Sequence, residues 1–109
     1  MAGQAQLKNN FFIKLNDDEG LNFRFNYWRT STGQEVDLVV ARSISKPLVA
    51  IEIKSSDSPS LKDVDALLQF AAEYPKVKIW CVCQTPREYE EGGVRFLPWK
   101  TGLLELAKA

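Results

Sequence analysis

Glu35-Val36-Asp37-Leu38-Val39-Val40 and, beyond a short polar turn and Pro47, Leu48-Val49-Ala50-Ile51-Glu52-Ile53-Lys54 decide the reading of this chain. Both runs are rich in β-branched residues and alternate with period two, so they read as the arms of an antiparallel hairpin. Alternation puts Val36, Leu38 and Val40 on one face and Glu35, Asp37 and Val39 on the other. In the second arm Val49, Ile51 and Ile53 oppose Ala50, Glu52 and Lys54. Aligning the apolar sets pairs Val36 with Ile53, Leu38 with Ile51 and Val40 with Val49, and leaves residues 43–46 as the turn. The same register sets Asp37 opposite Glu52 and Glu35 opposite Lys54.

Carboxylates directly across an antiparallel ladder have Cβ atoms roughly 5 Å apart. At an effective dielectric near 20 their charges repel by about 3 kcal/mol. A divalent cation converts that repulsion into chelation, because hard ions take carboxylate and carbonyl oxygens. Lys54 shares the face and is placed to steer water or to stabilise developing negative charge. The competing reading of the same pattern is a solvated strand face, with Glu35 and Lys54 as an ordinary cross-strand ion pair.

Tyr27-Trp28-Arg29-Thr30-Ser31-Thr32-Gly33-Gln34-Glu35-Val36-Asp37, followed by Ile51-Glu52-Ile53-Lys54-Ser55-Ser56, resembles the PD-(D/E)XK nuclease superfamily. It is most similar to the branch found C-terminal to bacterial and archaeal P-loop ATPases. The resemblance runs from about Phe23 to about Leu106 and is sharpest in the hairpin. It implies an α/β (α+β) domain with a restriction-endonuclease-like core: a mixed β-sheet of four to five strands in the order βββαβ, with terminal helices. It further implies metal-dependent phosphodiester hydrolysis of nucleic acid, with DNA as the expected substrate. Asp37 and Glu52 match the family's metal ligands, the Ile53 carbonyl adds an oxygen, and Lys54 matches the motif lysine, with Mg²⁺ or Mn²⁺ as the ion. Val36 stands where the family has proline. The family's first helix carries a further acidic residue, whereas residues 1–10 hold no carboxylate, so that contribution is either absent or supplied by another chain.

Around the hairpin the chain reads as one domain over residues 1–109. Residues 11–15 suggest a strand or a helix end, residues 16–20 a turn, residues 21–28 a strand and residues 30–33 a hairpin turn. Ser60 and Asp63 form a capping-box pattern ahead of Leu61, Val64, Leu67, Leu68, Ala71 and Ala72, an amphipathic helix that Pro75 ends. A strand at residues 77–83 follows, so the helix is a crossover and the Glu52 strand should lie parallel to it. Residues 84–93 read as a polar loop, residues 94–99 as a last edge strand and residues 102–109 as a short helix. Cys81 and Cys83 fall on one strand face, where a disulfide is poorly disposed and core packing is expected.

Composition narrows the chemistry. The chain has no histidine, which removes Ser-His-Asp and Cys-His catalysis and His-liganded zinc within it. Its net charge is zero, so a nucleic-acid partner requires the fourteen Lys and Arg residues to be clustered or supplemented by a partner. Arg29, Ser55 and Ser56 are the candidate backbone contacts, with ion pairing to Glu35 for Arg29 and turn formation for the serines as the alternatives. Gln69 falls beside the apolar stripe and reads as a solvated flank. The aromatic complement, Trp28, Trp80, Trp99, Tyr27, Tyr74 and Phe96, suits a core or a homodimer interface. The second functional reading is therefore a catalytically inactive nuclease-fold module that dimerises and acts in protein or nucleic-acid interaction, with an ATPase as a candidate partner. No membrane-length apolar run or signal stretch appears, which points to a cytoplasmic chain.

Overall fold

In a computed structural model that describes residues 24–29, 33–43 and 46–108, the chain forms one mixed six-stranded sheet with a helix on each face. The strands are β1 (Arg24–Arg29), β2 (Glu35–Ser43), β3 (Lys46–Ile53), β4 (Lys78–Cys83), β5 (Tyr89–Glu91) and β6 (Val94–Pro98). A 3₁₀ turn at Leu61–Val64 leads into α1 (Asp65–Glu73), and α2 (Trp99–Lys108) closes the described chain. The spatial order is β1-β2-β3-β4-β6-β5. The expected strand at residues 11–15, the expected turn at residues 16–20, the first residues of the strand expected over 21–28 and most of the turn expected over 30–33 lie outside the described residues.

The middle of the hairpin keeps the expected register, with Leu38 facing Ile51, Val39 facing Ala50 and Val40 facing Val49. Beyond it the pairing slips, Ala41 facing Pro47 and Ser43 facing Lys46, so Ser43 and Lys46 are paired strand ends and not part of a turn over residues 43–46. The crossover is as expected too, with β3 parallel to β4 and Glu52 beside Cys81. Four further expectations are corrected. Residues 84–93 are not a plain loop, because Tyr89–Glu91 pairs antiparallel with β6 across Gly92 and Gly93, whose φ angles of 58° and 85° make the tight reversal. β6 is not an edge strand, since it lies between β4, to which it is parallel, and β5. The sheet thus has six strands rather than four or five, and α2 begins at Trp99 rather than Gly102.

Both faces of the sheet are covered. Leu38, Val40, Val49, Ile51, Ile53, Trp80, Val82, Leu97 and Leu106 form one core layer beneath α2. Val39, Ala50, Leu67, Phe70, Cys81, Cys83 and Phe96 form the other beneath α1. This explains why β4 is apolar after its first residue instead of alternating. Cys81 and Cys83 are buried free thiols within the α1 layer. Hydrogen bonding to Cys83, followed by burial, pushes the Cys81 thiol up, which leaves it an inert apolar group.

Val36 departs from the alternation. It packs in the α1 layer with Trp28 beside it, not with Leu38 and Val40. The pairing of β1 with β2 supplies the cause: Asn26 faces Val39 but Trp28 faces Val36, so β2 carries one extra residue in between. That bulge spans Asp37 and Leu38 and inverts the facing of everything before it.

Candidate active site

The bulge shapes the site. The β2–β3 pairing runs only as far as Leu38–Ile51, and the expected Val36–Ile53 pair gives way to a different contact. The Ile53 backbone N–H donates to Asp37 Oδ2 at 2.8 Å. A side-chain carboxylate thus replaces the next rung of the ladder, which fixes Asp37 against β3 where the two strands part. In extended backbone the N–H and C=O of one residue project to the same side, so the Ile53 carbonyl is directed toward β2 and Asp37. The following Lys54 N–H turns the other way, to the Val82 carbonyl at 3.0 Å.

Glu52 stands next to this pair and is almost fully enclosed, its side chain 6% exposed. The solvated-face reading fails here, because α1 and the 3₁₀ turn cover this side of the sheet. Burial raises the proton affinity of Glu52, the neighbouring Asp37 charge raises it further, and the pKa is pushed up to about 8. Burial also raises the Asp37 pKa, against the Ile53 hydrogen bond and the Lys54 charge, which hold it down. Lys54 Nζ lies 3.6 Å from Glu52 Oε2. Two carboxylates brought together in a desolvated place are an expensive arrangement for buried charge. The expected Glu35–Lys54 pairing is replaced by Lys54–Glu52 and by an exposed Arg29–Glu35 pair at 2.6 Å.

These groups open onto a cleft of about 530 Å³ lined by Glu35, Asp37, Glu52, Ile53, Lys54 and Ser55 on the sheet side. Lys62, Asp63, Asp65 and Ala66 form the opposite wall, with Gly33 and Gln34 at one end. Ser55 is therefore in the cleft. Ser56 and Arg29 are not among its lining residues: Ser56 uses its carbonyl to accept from Gln84 N–H at 3.0 Å, and Arg29 is engaged by Glu35. Gln69 is half-buried and not merely solvated; its Nε2 donates to Gln34 Oε1 and Asp65 Oδ2, both at 2.8 Å. It ties α1 to the segment entering β2 across the end of the cleft.

The wall opposite the sheet is held firmly. Ser60 N–H donates to Asp63 Oδ2 at 2.8 Å, the capping interaction expected from the sequence, and this bond holds the Asp63 carboxyl below its ordinary pKa. Tyr89 donates its hydroxyl to the Pro59 carbonyl at 2.7 Å and stacks on Phe96 with ring centroids 4.6 Å apart. Lys62, Asp65 and Gln34 were not identified from the sequence. Lys62 and Asp65 enter the site through docking of the 3₁₀ turn and α1 over the sheet, whereas Gln34 sits directly before β2, where Gln69 reaches it.

Among the described residues no group of three or more His, Cys, Asp and Glu side chains is placed to hold a metal. The available donors are two carboxylates, Asp37 and Glu52, beside a backbone carbonyl. An all-oxygen set with two mutually repelling acids fits Mg²⁺ or Mn²⁺, since Mg²⁺ is commonly held by one or two carboxylates and keeps several waters. No described helix is long and apolar enough to cross a membrane.

A family profile described as DUF4143, a domain of unknown function, matches residues 10–101. No curated protein and no solved structure matches the chain.

Proposed function

The chain belongs to the DUF4143 family, and from its cleft we propose that it is a metal-dependent hydrolase of phosphodiester bonds in nucleic acid, with DNA as the substrate. The observation that carries this reading is the convergence of Asp37, Glu52 and Lys54 in one cleft, with two desolvated carboxylates side by side. The order βββαβ through β4, with β3 parallel to β4, supports assigning the core to the restriction-endonuclease-like type. The β5–β6 hairpin is then an addition at one edge.

Asp37 and Glu52 would hold Mg²⁺ or Mn²⁺ together with the Ile53 carbonyl. When bound, the ion supplies charge neutralisation at phosphorus and lowers the pKa of an associated water. Asp37 is oriented for this by Ile53 N–H, and Glu52 by burial against Lys54. Lys54 contributes a positive charge at the scissile phosphate and orients the attacking water. With zero net charge, the chain depends on locally placed cations, a bound metal ion and partners to attract a polyanion.

The non-catalytic module reading is weakened by the aromatics that were expected to form its interface. Trp80 and Phe96 are buried, and Trp28 packs edge-on against Phe70 at 4.9 Å. The deciding experiment incubates the protein with plasmid and single-stranded DNA in Mg²⁺ or Mn²⁺. Cleavage that is abolished by Asp37→Ala and by Glu52→Ala supports the proposal. No cleavage with either ion, together with no metal-induced rise in melting temperature, favours the interaction module.

A further inference from the structure

We propose that Lys62 receives the nucleic-acid backbone at the rim of the cleft, contacting a phosphate next to the one attacked. The proposal rests on the nuclease reading and adds to it a residue from the wall opposite the motif strands. The cleft is lined by five carboxylates, Glu35, Asp37, Glu52, Asp63 and Asp65, against two lysines, Lys54 and Lys62. A polyanion entering such a cleft meets repulsion on both sides unless a cation stands at the entrance.

Lys54 does not serve the entrance, because it is half-buried and engaged by Glu52. Lys62 is exposed, lines the cleft and forms no salt bridge with any described residue. Its backbone is anchored on each side. Ser60 and Asp63 close the turn, Val64 is 1% exposed, and Leu61 lies so close to Gly92 that a Cβ there would meet its Cδ1 at 2.6 Å. Pro59 is tied to Tyr89. An anchored Cα with a flexible four-carbon stem places an ammonium over the cleft without fixing it to one phosphate position. Lys54 inside and Lys62 at the rim thus define a line along which the strand backbone runs over Asp37 and Glu52.

The test measures binding of a labelled oligothymidylate by anisotropy in Mg²⁺, read before cleavage accumulates, over a series of salt concentrations. Lys62→Gln should weaken binding about three- to tenfold and make the slope of log K against log salt shallower by about 0.7, the contribution of one single-strand phosphate. Lys62→Glu should weaken it further. Lys76→Gln, exposed and not among the residues that line the cleft, should bind as the wild type does, and all three variants should keep the wild-type melting temperature. Wild-type binding with an unchanged affinity and salt slope in Lys62→Gln overturns the role of Lys62 while leaving the nuclease reading in place. Failure of the wild type itself to bind overturns the nuclease reading and the Lys62 contact with it.

Discussion

Replacing Glu52 by Gln should stabilise the metal-free protein at neutral pH, and the size of the gain follows from the burial of that carboxyl. Its pKa is about 8 in the folded chain against an ordinary 4.5, so the folded state holds a proton that the unfolded state releases. With more protons bound in the folded state, unfolding free energy falls as pH rises. The contribution is fully present below about pH 4.5 and is lost progressively up to about pH 8. At about 1.4 kcal/mol per pH unit for one proton, the wild type should lose about 2 kcal/mol between about pH 5 and 7. For a domain of this size that is a fall of roughly 8–16 °C in melting temperature. Asp37, whose pKa is also raised, acts in the same direction. Asp63, whose pKa is lowered, acts with the opposite sign but only below about pH 4. The amide in Glu52→Gln still accepts from Lys54 and carries no charge to desolvate. Urea denaturation in a chelator at pH 5, 6, 7 and 8 should show the two proteins similar in acid and the variant ahead by about 2 kcal/mol at pH 7. A wild type whose stability is flat or rising over this range, or a variant with the same slope, would refute the argument.

Further outcomes test the surrounding scaffold. Saturating Mg²⁺ should remove most of the wild-type pH slope by holding Glu52 ionised, and should leave Glu52→Gln unmoved in a thermal scan. Tyr89→Phe leaves the Pro59 carbonyl without its partner and should cost about 1 kcal/mol in urea denaturation, with the loop bearing Ser55 gaining faster amide exchange. Gly92→Ala puts a side chain at φ 58° against Leu61 and should destabilise by about 1–2 kcal/mol. Phe70→Ala empties the centre of the α1 layer, where Phe70 is 1% exposed, and should cost about 3–5 kcal/mol by calorimetry.

Much of this arrangement was written locally. The apolar sets of the hairpin fixed the Leu38–Ile51 and Val40–Val49 pairs, and a helix between two strands demanded the parallel crossover. What local pattern did not carry was non-local. Nothing in Val36-Asp37-Leu38 marks a bulge, since it contains no glycine and obeys alternation, yet pairing with β1 inserts one and turns Val36 toward α1. The β5 strand was hidden because Tyr89-Glu90-Glu91 is short and polar, as suits an edge, and its two glycines look like any loop. The interior place of β6 depends on spatial order, which follows only from how the final hairpin docks beside β4. In the site, Asp37, Glu52 and Lys54 were legible from strand spacing. Lys62 and Asp65 belong to it because the 3₁₀ turn and α1 pack over the same face, a tertiary event with no short-range signature.

The central claim is that Asp37 and Glu52 act together as one cation site, and calorimetric titration of Mn²⁺ into the protein near neutral pH addresses it without dependence on any substrate. The account predicts one ion bound per chain, with proton release on binding, and loss of that binding in both Asp37→Asn and Glu52→Gln. Binding that survives either substitution, or a folded wild type that takes up no Mn²⁺, would contradict it.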